Sequence, residues 1–200
     1  MKFSKGYKVP HSEKIIESYS VHSNHIIMNI DADNYEKVFL KLLKKLKEPT
    51  FFILEVPCQM DKEVTLRKTN DAPYHKDVYY LDNTNYEASE LILKSVGNIL
   101  INDGTSFFGF ASMNERVEIM KGRYNTIYIY KEGDKKFFTD VLDKLGIPKD
   151  DFEIDLAVET FTEEEPGESF KYIDKSGNDI YSVLEEFKKI GMYLDHTEEQ

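Results

Sequence analysis

The chain has 200 residues, of which 40% are hydrophobic and 32% are charged, a composition typical of one globular domain. Its formal net charge of −11 disfavours nucleic-acid binding, because phosphate contacts need a basic surface. No apolar run approaches the roughly 20 residues that span a bilayer, and the first ten residues lack the apolar segment of a signal peptide. With one cysteine, Cys58, these features predict a single-domain cytoplasmic protein that does not bind membranes. Residues 1–20 and 195–200 are predicted to be flexible.

The first predicted β-α-β unit lies between residues 25 and 56. An apolar strand over 25–30 precedes a helix that begins near Asp33, whose carboxylate has capping-box spacing with Glu36. The helix carries one apolar stripe at helical spacing, and a second apolar strand follows over 51–56.

The second unit repeats this order. A strand over 78–81 is followed by a Thr84–Glu87 capping box and a helix that Gly97 is predicted to end. Two further strands, over 98–101 and 105–110, then flank a predicted hairpin turn at 102–104. A short strand over 118–120 completes this part of the chain.

The third unit begins with a strand over 126–130 and a helix capped by Asp134. Residues 152–158 alternate apolar and acidic side chains, which predicts a half-buried strand with an acidic outer face. A final helix begins near Asp179. We therefore predict an α+β fold: one domain with a mixed or antiparallel sheet packed by about four helices. The caps Asp33, Thr84 and Asp134 are nearly evenly spaced, which either duplication or shared capping chemistry explains.

The negative charge is concentrated at one end of the sequence. Residues 1–100 contain 14 acidic and 14 basic residues, whereas residues 150–200 contain 16 acidic and 4 basic ones. Such asymmetry either steers a basic partner or only keeps the protein soluble. The tyrosines that precede this segment add rigid, amphipathic contact area, although they also fit a role in the core. The residues predicted to bind a partner are Tyr124, Tyr128, Glu153, Asp155, Glu159, Glu163, Glu164 and Glu165.

Two histidines resemble part of a zinc site. His22 and His25 begin a predicted strand, and strand alternation would place them on opposite faces. A zinc site formed with Cys58 is therefore disfavoured, because structural zinc needs four converging ligands. No metal ligand is predicted.

The segment 59–77 is the one place where acids, a base and cations cluster without clear periodicity. His75 and Asp77 form a candidate acid–base pair there. The other ionisable members of this group are Asp61, Glu63, Arg67 and Asp71. The sequence has no phosphate loop, dinucleotide fingerprint or nucleophile elbow, so no catalytic or cofactor residue is predicted.

The passages 99–112 and 118–130, which include ILINDGTSFFGFAS and KGRYNTIYIY, resemble small, poorly characterised bacterial proteins of the toxin-immunity type. This resemblance implies a cytoplasmic protein that binds and neutralises a basic toxin such as a nuclease. Three classes of function stay open from the sequence: an acidic protein-binding inhibitor, an enzyme with its site in residues 59–77, and an oligomerising module.

Overall fold

The computed structural model describes residues 1–152 and 155–200. Within these ranges the chain forms ten strands and five helices, with short 3-10 turns at Ser12–Lys14 and Val158–Thr160. The elements are β1 (Tyr7–Lys8), β2 (Ser18–Val21), β3 (His25–Asn29), α1 (Tyr35–Leu43), β4 (Thr50–Pro57), α2 (Met60–Leu66), β5 (His75–Thr84), α3 (Tyr86–Asn102), β6 (Phe107–Ser112), β7 (Val117–Lys121), β8 (Thr126–Lys131), α4 (Lys136–Leu145), β9 (Glu168–Ser169), α5 (Ile180–Lys189) and β10 (Tyr193–Glu199).

In the described residues, eight strands form one antiparallel sheet in the order β10-β5-β4-β6-β7-β8-β3-β2, and β1 pairs with β9 separately. This architecture confirms the predicted α+β class. The helices α1 and α3 each connect two strands that run in the same direction, as in a β-α-β unit. These strands are not neighbours, however: α3 crosses over β4, and α1 crosses over three strands.

One face of the sheet is covered by α1, α3, α4 and α5, which supply the main hydrophobic core. The apolar stripe of α1 places Phe39 against Phe108 of β6, with ring centroids 5.1 Å apart. Phe52 of β4 meets Phe187 of α5 at 5.2 Å. Because strand side chains alternate between faces, the next residues along β4 and β6 point away from the helices. On the other face, here called the open face, Ile53 of β4 packs in a smaller cluster with Val78 of β5 and Met120 of β7.

The predicted hairpin at residues 102–104 is wrong. The helix α3 continues through the buried Gly97 to Asn102, and the next residue, Asp103, is fully buried. Its Oδ1 accepts hydrogen bonds from the N–H groups of Thr105 and Ser106, both at 2.9 Å. A Cβ on Gly104 would come within 2.0 Å of the Gly6 carbonyl oxygen. The glycine therefore serves a close backbone crossing rather than a hairpin turn.

The predicted strand over 152–158 is also wrong for residues 155–158. Asp155 was predicted to face solvent, yet it is 7% exposed, and its Oδ1 accepts a hydrogen bond from the Ala157 N–H at 2.9 Å. That bond turns the chain into the 3-10 segment at Val158–Thr160. Glu153 lies outside the described residues.

The predicted helix starts lie within two residues of the observed ones, but two predicted caps are not used. In α3 the cap is Asn85, which accepts from the Ala88 N–H, whereas Thr84 bonds to Thr50. Asp33 pairs with Lys2 instead of capping α1. Asp179 caps α5 as predicted. The final residues 193–199, left unassigned by the sequence patterns, form β10 on β5. The flexibility of residues 1–20 and 195–200 stays a prediction.

Candidate binding cleft on the open face of the sheet

The open face carries a cleft of about 640 Å³. It runs along β7 and β8 and ends where the segment after Asp155 approaches Tyr124. Its lining consists of Glu55, Lys76, Phe107, Glu118, Met120, Lys121, Gly122, Arg123, Tyr124, Tyr128, Tyr130, Asp155, Val158, Phe161, Glu199 and Gln200. A volume of this size suits a few side chains or a small ligand.

The floor of the cleft is low because β6 has small residues on this face. A Cβ on Gly109 would lie 2.0 Å from the Met120 sulfur and 2.4 Å from the Ile119 carbonyl oxygen, so only glycine lets the Met120 side chain lie across β6. Ala111 follows on the same face. These residues separate the large side chains of β4 and β5 from those of β8, and a trough results.

Tyr128 and Tyr130 form one wall. Two residues apart on β8, their rings stack with centroids 5.7 Å apart and planes inclined by 6°. The His25 ring of β3 contacts both from behind, at 6.0 and 6.1 Å. Burial raises the pKa of Tyr128 to about 12. Tyr130 is 43% exposed, so its ring is available from the cleft.

Glu118 lies beside this wall, because the register of β7 and β8 pairs it with Tyr130. It is half-buried, and burial together with the neighbouring Glu55 carboxylate raises its pKa above the usual range. Glu55 itself accepts a hydrogen bond from Lys76 at 2.6 Å, and Lys76 also pairs with Glu198 at 3.0 Å. Among the described residues, no ion pair within 4.0 Å involves Glu118, so its charge lacks a direct counterion.

The far end of the cleft holds a second acid, Asp155. Burial raises the pKa of this carboxyl to about 7. Tyr124 and Phe161 close that end, with ring centroids 5.1 Å apart and nearly perpendicular planes. The titratable groups that interact electrostatically with Asp155 include Glu159, Tyr7, Tyr35 and Tyr128. No described residue forms a salt bridge with Asp155, so the cleft has an unmatched carboxyl at each end.

Two of the cations that line the cleft, Lys76 and Lys121, are engaged by other groups. Lys121 is 1% exposed, and burial lowers its pKa to about 7. Its Nζ donates to the carbonyl oxygens of Asp103 and Ser106, at 2.7 and 2.9 Å, and to the Tyr7 hydroxyl at 3.0 Å. These contacts tie the end of β7 to the segment between α3 and β6 and to β1. Arg123 is exposed at the rim, 5.8 Å from the Phe107 ring.

A second, shallower depression of about 390 Å³ adjoins the cleft. It is lined by Phe51, Ala111 and Ser112 among others, and it shares Glu118 and Tyr130 with the first. The two depressions therefore form a continuous groove across the open face, with Glu118 and Tyr130 at the junction.

The structure brings together three of the residues predicted to bind a partner, Tyr124, Tyr128 and Asp155, which all line the cleft. Glu159 acts electrostatically on Asp155 from the following turn. Glu163, Glu164 and Glu165 are exposed in the loop beyond Phe161. Glu118 and Phe107 were missed as site residues. Alternation along β6 and β7 places them on the open face, but only the sheet order shows that this face lacks a helix.

Four of the ionisable residues in the segment 59–77 form two matched pairs. Burial opposes ionisation of Glu63, but hydrogen bonds from His75 hold the pKa of Glu63 below its usual value. The His75 backbone N–H lies 2.6 Å from Oε1 of Glu63, and the His75 ring Nδ1 lies 3.1 Å from Oε2. Burial likewise opposes ionisation of Asp77, whose pKa is lowered by Lys62, Thr197 and Cys58. His75 thus pairs with Glu63 on α2, not with Asp77. Asp61, Arg67 and Asp71 lie outside these pairs.

The thiol of Cys58 is unsuited to nucleophilic chemistry. Burial, with the adjacent Asp77 carboxylate, raises its pKa to about 12, and its Sγ donates to Asp77 Oδ1 at 3.3 Å. His22, which follows β2, and His25, the first residue of β3, stack with ring centroids 4.5 Å apart, so the expectation that they face opposite ways is wrong. Within residues 1–152 and 155–200, no group of three His, Cys, Asp or Glu side chains is arranged to hold a metal ion.

Comparisons of the chain with protein-family models, with curated proteins and with solved structures found no match. In the parts of the chain that the structure describes, none of the helices has the length and apolar character required to cross a bilayer.

Proposed function

We propose that this protein is an acidic binding module that holds a basic segment of a partner protein in the groove on the open face of its sheet. The observation that carries this proposal is the pair of carboxyls, Glu118 and Asp155, that lie in the cleft with raised pKa values and without a salt-bridge partner among the described residues. A buried charge is costly unless it is paired. A cationic partner supplies the missing counterions.

The rest of the groove has the composition of a protein-binding surface. Its walls are aromatic, with Tyr128, Tyr130 and Phe107 lining the central part. Tyrosine provides large, rigid contact area with a hydroxyl for hydrogen bonding, and it is enriched where interfaces are strongest. Carboxylates and aromatic rings together favour arginine and lysine side chains.

The acidic loop beside the cleft supports the same partner chemistry. Glu159, Glu163 and Glu164 are exposed in the segment whose Val158 and Phe161 line the cleft, and Glu199 of β10 also lines it. Exposed charges of one sign contribute little to affinity but increase the association rate of an oppositely charged partner. The loop therefore steers the partner, and the groove holds it.

Within this class we propose the narrower function that the sequence resemblance implies: a cytoplasmic immunity protein or inhibitor that neutralises a basic toxin such as a nuclease. The free thiol of Cys58 is consistent with a reducing compartment. Co-production with the protein encoded by the adjacent gene tests this form. Relief of that protein's toxicity by wild type, but not by Glu118→Gln/Asp155→Asn, is expected; equal relief by both would argue against the groove as the inhibitory surface.

The binding function itself is tested by titrating the isotope-labelled protein with an alternating arginine–alanine octapeptide and recording amide and methyl NMR shifts. We expect saturable shifts confined to β6, β7 and β8 and to the segment after Asp155. The matched glutamate–alanine octapeptide should cause none. Added salt should weaken the binding of the arginine peptide, because the contacts are largely ionic.

A matched pair of variants separates the groove from general acidity. Glu118→Gln/Asp155→Asn removes two charges from the cleft, and Glu185→Gln/Glu186→Gln removes two from the exposed face of α5. The first variant should lose most of the affinity and the second should keep it. Equal losses in the two variants, or shifts centred on the helices, would disprove the groove. Self-association through the open face would appear as concentration-dependent shifts without peptide.

A further inference from the structure

We propose that the junction of the two depressions, at Glu118 and Tyr130, is a specificity subsite for one arginine side chain of the partner. This inference rests on the proposed function and deepens it, because it assigns a residue type to one position in the groove.

The carboxylate of Glu118 is placed to receive a cation that approaches along the groove. It lies across the β7–β8 ladder from Tyr130, and it lines both depressions. The adjacent Glu55 carboxylate is already hydrogen-bonded to Lys76 at 2.6 Å. Of these two neighbouring acids, Glu118 is the one whose counterion must come from outside.

The aromatic rings of the cleft differ in how many cations lie near them. Phe107 has three cations near its ring: Lys76 at 5.7 Å, Arg123 at 5.8 Å and Lys121 at 5.9 Å from the centroid. No cation of the described residues lies over Tyr130, although its ring is 43% exposed. Cations are attracted to aromatic faces within about 6 Å of the centroid, more strongly where water is excluded. The Tyr130 ring, which has no cation over it among the described residues, therefore lies next to the Glu118 carboxylate, which has no counterion among them.

Arginine fits this pair better than lysine. A guanidinium group is planar and weakly hydrated, so it stacks on a ring while two of its N–H groups reach one carboxylate. The parallel rings of Tyr128 and Tyr130 offer a broad flat wall for such stacking. Met120 beside Tyr128 gives the alkyl part of the side chain an apolar floor. Lysine satisfies the charge but makes neither the planar contact nor the forked hydrogen bond.

The charges at the outer end of the groove do not compete for this role. The second depression carries Glu115 and Glu132 together with Arg116 and Lys131, which balance in sign. Glu115 also pairs with Lys47 at 2.6 Å. Among the described residues, neither Arg116 nor Lys131 forms an ion pair with Glu118, so the Glu118 carboxylate stays open to an external cation.

The test uses single-residue probes: N-acetyl-arginine methylamide, its lysine counterpart, and the citrulline analogue, which has the shape of arginine without its charge. NMR signals from the Met120 methyl group and the Tyr130 ring report binding. We expect saturable shifts with the arginine probe, about threefold weaker binding of the lysine probe, and no saturation with citrulline. Glu118→Gln should weaken arginine binding about tenfold, whereas Glu185→Gln on α5 should not change it.

A second variant pair tests the ring. Tyr130→Phe keeps the aromatic face and should keep the preference for arginine over lysine, whereas Tyr130→Leu should abolish that preference. Equal binding of arginine and citrulline, or unchanged arginine binding in Glu118→Gln, would overturn the subsite. If the basic octapeptide still binds the groove under those outcomes, the proposed function stands without the subsite. If the octapeptide does not bind, both fail together.

Discussion

Two regions of this molecule bury carboxylates in opposite ways. Beside α2, Glu63 and Asp77 are surrounded by His75, Lys62 and Thr197, which hold the pKa values of both acids low despite burial. In the cleft on the open face, Glu118 and Asp155 have raised pKa values, because burial is not offset by a cation.

We interpret the difference as a structural role for the first region and, under the proposed function, a binding role for the second. The matched cluster ties three elements together, since Thr197 of β10 and Lys62 of α2 both contact Asp77 of β5. The cleft acids tie nothing comparable together, and their burial reduces stability. A protein retains such groups where they serve a ligand, which is the general reason that perturbed carboxyls concentrate at functional sites. The following predictions compare these two regions.

The largest effect is expected in the matched cluster. Asp77→Ala removes the acceptor of Lys62, Thr197 and Cys58, and should lower the free energy of unfolding by about 3 kcal/mol near neutral pH. Because the pKa of Asp77 is lowered in the folded protein, its contribution is lost as pH falls below about 4. Urea unfolding at both pH values measures this deficit. The exposed Asp61→Ala on α2 is the control, and an equal deficit in both variants would contradict the structural role.

Asp155→Asn should have the opposite effect on stability: it should increase the free energy of unfolding. The pKa of Asp155 rises from 3.8 to about 7 on folding, so the folded state binds the extra proton between these values and stability falls as pH rises through them. Asparagine cannot ionise, and its side-chain oxygen still accepts from Ala157. We expect the variant to be more stable by about 2 kcal/mol at about pH 8 and equal to wild type at about pH 4.

Thermal unfolding across this pH range measures the difference for Asp155→Asn. A gap that stays constant with pH would mean that the ionisation of Asp155 is not responsible. A loss of stability at about pH 8 would show that the carboxylate is matched after all, and the contrast between the two regions would disappear.

Glu118→Gln should produce a smaller gain of the same kind, about 0.5–1 kcal/mol above the pKa of Glu118, since this side chain is only half-buried. The same variant is expected to lose affinity for basic peptides. Urea unfolding and peptide titration on one preparation measure both effects. Stability gained together with binding lost is the pattern of a functional residue; loss of both would indicate a structural one.

The smallest effect on stability is expected in the acidic loop. Reversing Glu163, Glu164 and Glu165 to lysine should change the free energy of unfolding by less than about 0.5 kcal/mol, because these side chains are exposed. Stopped-flow association with a basic peptide should instead become slower and less dependent on salt. An unchanged association rate would remove the loop from the binding surface.

Local patterns in the sequence predict much of the secondary structure. The apolar stripes of α1, α4 and α5 and the strands β3, β4 and β8 follow from side-chain periodicity alone. Periodicity failed where tertiary contacts override it. Gly97 lies inside α3 and does not end it, and Asp155 is buried because its carboxylate accepts a backbone N–H. A polar strand such as β10 gives no apolar signal, and only its pairing with β5 defines it.

Sequence patterns could not predict the cleft, for a different reason. Its central residues, Lys76, Phe107, Glu118 and Tyr130, come from four strands, and the order of those strands is set by long-range packing. The sequence identified Tyr124, Tyr128 and Asp155 as partner-binding candidates. It placed Asp155 on an exposed strand, whereas the structure buries it at the end of the groove.

The strand order also bears on how fast the chain can fold. Strand β3 lies beside β8, yet α1, β4, α2, β5, α3, β6 and β7 all intervene in the sequence. Ile26 and Met28 are fully buried; they pair with β2 early but lack their β8 neighbours until those elements have been made and arranged. Closing loops of that length costs entropy before any contact repays it, so we expect folding in milliseconds to seconds rather than microseconds. During synthesis these two apolar side chains therefore stay uncovered on one side until β8 is made, and a chaperone could bind them in that interval.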